Sequence, residues 1–470
     1  MSAGVRFEHI FRQFAQGSHL SLNLRQSAPT LSSTVPQSEP NYAQPPPAMF
    51  RVKCRRKSDI LETVQDFVTL HRKPVHLFSK IKCRILNNLG AWTATELGVV
   101  CHAWAQLGFL KEDFCVAISD RVADTAETCT VDSLVHLMDA FATTRCVVAS
   151  VVDAINAQVK RKVYELDPRQ LGLYCSSLAR LNVCDVPLLT SLRVRILVAS
   201  EKHDFSARDI TLSAYSFAKL GCTDSILFGR LASLTEKVMR DFTAKDLQMM
   251  ATAFEREPDD YTLLYSILSI QAQRRIAQFS PDAIVLLMKA FAKKGMNDSA
   301  LATRVIGQLP RIALGLQGKE AACLLNSMSV MGMKSEVAMN VLGGVVRENV
   351  RELGVMEWLS VLKSMNAMNA RNEELLTCFS SSIDQVVKKA TANQVAQVAD
   401  VLAKLEYKNV HVLDVLTESL SKSIDDISPG SAADIYCSYA SLGAYENPNH
   451  TRLMQSVMQK ALQREQVCFN

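Results

Sequence analysis

Residues 205–221, FSARDITLSAYSFAKLG, and residues 242–258, FTAKDLQMMATAFEREP, carry the same order of apolar and polar positions 37 residues apart. With Ile210 and Leu247 as anchors, an equivalent position recurs at Ile60, Leu97, Leu134, Leu171, Ile284, Ala321, Trp358, Val395 and Ala432. Every interval is 37 residues except Leu171 to Ile210, which is 39; the two extra residues fall near Glu201–His203, between units. Counted from the anchor, position +7 is large and apolar in all eleven units, from Phe67 and Trp104 to Leu402 and Tyr439. Position +21 is apolar throughout, from Ile81 to Leu453. Anchor, +4 and +7 share one face of a first helix, and +17 and +21 share one face of a second.

The polar punctuation agrees. Glycine stands at +11 in Gly108, Gly221, Gly295, Gly332 and Gly443, where a helix C-terminus favours a residue tolerant of left-handed φ. Four before the anchor stand Thr93, Thr130, Asp167, Ser206, Thr243, Ser280, Thr391 and Ser428, all good N-caps. Thr93 with Glu96 and Thr391 with Gln394 have capping-box spacing, and Ser206/Asp209 and Thr243/Asp246 are variants with a shorter acid. The column of carboxylates thus serves helix starts rather than acid–base chemistry, and the aromatic column is core rather than a stacking platform. A unit of this kind cannot bury its apolar face alone, and stacking identical units buries a continuous core. The pattern predicts an all-α protein, a right-handed α-solenoid of about eleven 37-residue helix–turn–helix repeats over residues 58–470.

Composition narrows the function. In 470 residues no apolar run approaches the roughly 18–20 needed to span a membrane. There is no Gly-rich phosphate loop, Ser/His/Asp set or HExxH, so neither an enzyme nor a small-molecule substrate is expected. Thirteen cysteines show no Cys-x-x-Cys, and Cys101, Cys175 and Cys437 are read as occupying one repeated apolar position, as reduced core residues. Nine histidines lack metal-ligand spacing, so no metal or other cofactor is expected.

Charge is unevenly placed. Residues 1–58 hold eight Lys/Arg and two Glu, whereas the rest holds 44 Lys/Arg against 45 Asp/Glu. A polyanion bound by this nearly neutral body would need local patches. Residues 1–57 are expected to be a disordered N-terminal segment. Phe7, Ile10, Phe11 and Phe14 sit at helical spacing beside Arg6 and Arg12, ahead of a Ser/Gln/Pro tract that ends in Pro45-Pro46-Pro47. This acid-poor, Arg-bearing amphipathic start resembles a mitochondrial transit peptide, despite Glu8.

A two-helix unit of 37 residues with the segments FSARDITLSAYSFAKLG (205–221), WTATELGVVCHAWAQLG (92–108) and FSPDAIVLLMKAFAKKG (279–295) resembles the heptatricopeptide repeat, a relative of the octotricopeptide and pentatricopeptide repeats. The resemblance covers residues 60–470. It implies an organelle RNA factor, in the mitochondrial matrix, acting in RNA processing, stability or ribosome biogenesis. Many such proteins end in a nuclease-like RAP domain; here the eleventh repeat runs to Asn470, so no such module and no nuclease activity are expected. The chain also looks like helical-repeat proteins of kinetoplastid mitochondrial RNA-editing assemblies.

Two binding functions follow from the pattern. At +9, repeats four to seven read Arg180, Lys219, Arg256 and Lys293; at +5 they read Ser176, Tyr215, Thr252 and Lys289. On helices stacked about 8–10 Å apart these form a ladder of cations beside variable polar groups, as in repeat proteins that read single-stranded RNA. The same cations lie in the last helical turn, where they complement the dipole. A second cationic set, Lys160-Arg161-Lys162, Arg274-Arg275 and Lys388-Lys389, also falls at helix ends. Apolar or small residues replace the ladder at Val330, Ala367 and Ser441, which suits a protein partner. The expected function is a non-catalytic scaffold of a mitochondrial RNA-processing or RNA-editing ribonucleoprotein, binding proteins and single-stranded RNA. The alternatives are a mitochondrial ribosome subunit or assembly factor, and a protein–protein adaptor without RNA contact.

Overall fold

A computed structural model of the chain describes residues 56–70 and 75–468. The targeting expectation for the N-terminal segment lies outside these residues. Among them every regular element is helical, and they form eleven hairpins. The first helices are Lys57–Thr69, Ala94–Leu107, Val131–Thr144, Pro168–Leu181, Ala207–Lys219, Ala244–Phe254, Pro281–Lys293, Gly318–Val330, Val355–Met368, Ala392–Lys404 and Pro429–Ser441. The second helices are Val75–Asn87, Glu112–Thr125, Ala149–Arg161, Val186–Lys202, Ser225–Val238, Thr262–Arg275, Ser299–Ile306, Glu336–Glu348, Glu373–Val387, Val410–Lys422 and Pro448–Cys468. First helices pack on first helices of adjacent repeats and second helices on second helices, so the solenoid has two layers.

The apolar columns are the core. All eleven anchors are buried, and so are the +7 and +21 columns; Phe67, in the first repeat, is the most open at 8%. Neighbouring first helices approach closely where the position after the anchor is small. A Cβ on Gly98 would lie 3.1 Å from the Ser133 carbonyl oxygen, and one on Gly172 would lie 3.2 Å from the Asp209 Cα.

The helix ends behave as their residues dictate. All eight predicted N-cap side chains accept a hydrogen bond from the backbone N–H three residues on, for example Thr93 from Glu96 and Ser428 from Ser431. A further cap column stands at +14 and starts the second helices: Asp185, Asp224, Asp298, Ser335, Asn372 and Asn409. The five +11 glycines have φ between 64° and 75°. In four other repeats the same position is Arg145, Asn182, Asn369 or Glu406, also at positive φ. The left-handed turn is therefore a property of the repeat, and glycine is its least strained occupant. Gly221→Ala, at φ 73° with open space around a new Cβ, is expected to cost about 1–2 kcal/mol of backbone strain, measurable by chemical denaturation.

Three repeats depart from the shared pattern. The two extra residues before Ile210 lengthen the second helix of repeat four to 17 residues, Val186–Lys202. Pro310 falls inside repeat seven's second helix, which breaks into Ser299–Ile306 and Leu309–Ile312, because proline has no N–H for the carbonyl four residues back. In repeat six, Pro258 occupies +11, where its ring excludes positive φ. The first helix there stops early, at Phe254, and of the loop residues 256–260 Glu257 alone is buried. Glu257 is 3% exposed as a result, with both carboxylate oxygens unpartnered. Burial, reinforced by Asp259, pushes its carboxyl up to about 7.

The cysteines need one correction. Cys101 and Cys175 are buried, and burial drives their thiols upward, Cys175 to about 12. Cys437 is exposed. It stands at +5, one residue past the +4 position of the other two, and one residue is 100° around a helix.

Candidate binding face

On the first helices the positions open to solvent are −2, +2, +5 and +9, except that Met249, at +2 of repeat six, is buried. Spacings of four, three and four residues place them in one stripe along the helix. Contacts between repeats show that the stripes join sideways. His102 at +5 of repeat two stacks on His136 at +2 of repeat three, with ring centroids 3.7 Å apart. Both imidazoles are held below their ordinary range, first by burial. Lys363 at +5 of repeat nine donates to Gln397 at +2 of repeat ten, at 2.9 Å. Arg208 at −2 of repeat five reaches Asp246 of repeat six at 2.9 Å and the Met249 Sδ at 3.7 Å. The result is a continuous surface crossing the first helices, not a closed cavity.

The structure places the predicted RNA-binding residues on this face and gives most of them partners. The Arg180 guanidinium donates to the Asp139 carboxylate and, at 3.3 Å, to the Thr143 Oγ1 of repeat three. Arg256 donates to the Ala218 carbonyl oxygen at 3.3 Å. Lys293 pairs at 2.8 Å with Glu255, whose side chain is nearly buried. Three of the four +9 cations therefore brace the preceding repeat. Lys219 is exposed, and no partner holds it among the described residues. At +5, Ser176 and Tyr215 are half-buried, Lys289 is exposed, and the Thr252 hydroxyl is tied to Gln248 at 2.9 Å.

Two members of the second cationic set also work internally. Lys162 donates to the Cys129 carbonyl oxygen and Arg275 to that of Arg240, each at 2.6 Å. Lys460 and Arg311 make the same reach back to a turn of the preceding repeat. Such contacts satisfy carbonyls that helix and turn ends leave without partners.

Two columns of the face escaped the sequence reading. In repeats four to eight, −2 reads Arg169, Arg208, Lys245, Asp282 and Lys319, and +2 reads Leu173, Leu212, Met249, Leu286 and Cys323. Both stand in the 37-residue register and were legible there; what hid them was that −2 and +2 look like ordinary helix positions until the stripe is drawn. Leu286 is 41% exposed.

A two-layer stack of helical hairpins, with its open surface made of columns rather than an enclosed pocket, defines an α-solenoid protein. The chain matches the family model of the RNA-editing substrate-binding complex 6 protein over residues 51–262 and again over 258–467. It belongs to that family. No curated protein matches it.

Proposed function

We propose that the protein is a non-catalytic helical-repeat scaffold of a mitochondrial RNA-editing ribonucleoprotein, at work in the matrix, with residues 1–57 as its targeting region. The observation that carries this reading is the family match, which spans nearly the whole repeat array. The chemistry of the chain supports a scaffold. Acids at the helix starts are engaged in caps and in ties between repeats, as Asp246 is with Thr243 and Arg208. The thiols of Cys101, Cys115 and Cys175 are buried and hard to ionise, which makes them poor nucleophiles. Among the described residues no helix is long and apolar enough to cross a membrane.

Its partners are other proteins of that assembly. Repeats eight and nine favour such contacts, because Val330 and Met356 on the first-helix face are 54% and 56% exposed. A tagged full-length chain purified from mitochondria of its native cells tests the reading. RNA-editing proteins are expected to remain bound after RNase treatment. Recovery of ribosomal proteins in their place, or loss of every partner with RNase, would overturn it.

A further inference from the structure

The stripe over repeats four to eight differs from the rest of the body in charge. Its −2 column supplies Arg169, Arg208, Lys245 and Lys319, and its +9 column Arg180, Lys219, Arg256 and Lys293. Lys289 adds one more cation, and the exposed acid among these positions is Asp282. This concentration arises although residues 59–470 together carry 44 basic and 45 acidic side chains. Several of the cations are unoccupied: Arg169, Lys245 and Lys319 are exposed, and no hydrogen bond or ion pair holds them among the described residues. Such side chains can release counterions when they meet a polyanion. The two columns lie eleven residues apart on each helix, about 16 Å at 1.5 Å per residue. Between them runs a floor of Leu173, Leu212, Leu286 and Cys323 at +2, interrupted at the buried Met249, and of hydrogen-bonding +5 side chains.

We propose that this face holds an extended single strand of RNA, with phosphates on the −2 cations and bases laid over the +2 and +5 columns. The inference rests on membership of an RNA-editing assembly and adds the surface and the mode of contact. The floor decides between ligands. An acidic amphipathic helix would press its apolar stripe onto Ser176, Tyr215 and Lys289 and leave their polar groups without partners, which is costly once they are buried. Base edges satisfy those groups, while the apolar base faces cover Leu173, Leu212 and Leu286 and remove them from water. An RNA duplex is met through its backbone and shallow minor groove and would leave the floor uncovered.

The test uses purified full-length protein and a fluorescein-labelled single-stranded RNA of about 20 nucleotides, read by anisotropy over a salt series. R169Q/K245Q/K319Q is expected to bind at least tenfold more weakly. Its slope of log affinity against log salt should fall by about 2, since each single-strand phosphate contact contributes about 0.7. Leu286→Glu, an independent change on an exposed floor position, should also weaken binding about tenfold. K237Q/R274Q, on the second-helix layer, should bind like the wild type. Absence of wild-type binding at low salt, an equal loss in the second-helix variant, or tighter binding of a duplex or an acidic amphipathic peptide would overturn the proposal. Editing proteins that stay bound to R169Q/K245Q/K319Q after RNase keep the two readings separate. Their loss from this variant would make the face a protein interface. Their absence from the wild type would refute the scaffold reading and leave the RNA result standing.

Discussion

Phe291→Ala is expected to destabilise the array by about 3–5 kcal/mol, the usual cost of removing a fully buried aromatic ring. Phe291 is the +7 residue of repeat seven and is fully buried. Its ring meets Tyr265 of repeat six edge to face, with centroids 5.0 Å apart and planes at 80°. The Tyr265 hydroxyl in turn donates to the Ala251 carbonyl oxygen at 2.7 Å. One ring therefore couples two repeats. Stability in a solenoid is close to a sum of repeat and nearest-neighbour terms, so weakening one interface should also uncouple its two sides. Urea unfolding followed by circular dichroism should show a lower first midpoint and a transition that broadens or splits. A single transition shifted by less than about 1 kcal/mol would mean that the +7 column does not carry the coupling.

Glu257→Gln is expected to stabilise the protein at pH 8 by up to about 3 kcal/mol and to have little effect near pH 4. The carboxyl ordinarily titrates near 4.5 but is pushed to about 7 in the fold. Burial is the main cause, Asp259 and Asp224 add to it, and Lys294 opposes it. Between these values the folded protein retains a proton that the unfolded chain has released. Stability therefore falls as pH rises through that window and levels off above about 7. A gap of about 2.5 units corresponds to roughly 3 kcal/mol. The Lys294 ammonium donates to the backbone carbonyls of Glu257 and, at 3.1 Å, of Asp259 rather than to the carboxylate. It thus braces the loop without neutralising the acid. Thermal unfolding of both proteins from pH 4 to pH 8 isolates this group from all others. A stability difference that stays constant across the range would refute the assignment.

Glu257 also marks the limit of what repetition reveals. A strict register made the hairpins, caps and left-handed turns readable residue by residue, because each depends on groups within a few positions along the chain. Pro258 is visible in the sequence as an exception to the +11 position. That its neighbour's carboxylate would be enclosed without a partner is not, since the enclosure comes from packing across the loop. The cations show the same division. Arg180, Arg256 and Lys293 are as prominent in the sequence as Arg169, Lys245 and Lys319. Which set binds inward and which stays open depends on whether an acid or a carbonyl of the adjacent repeat, 38 to 41 positions away, lies within reach.

The chain alone determined the two-helix unit, its period and the residues of its core, because helical periodicity and capping act over one or two turns. It also determined where cations can stand on the first helices. The stacked structure decided which of them are consumed in bracing and which remain free to meet a ligand. It likewise decided that Cys437 faces solvent and that Glu257 is enclosed. Both outcomes turn on distances between neighbouring repeats and around a helix, which come into being only when one hairpin is set against the next.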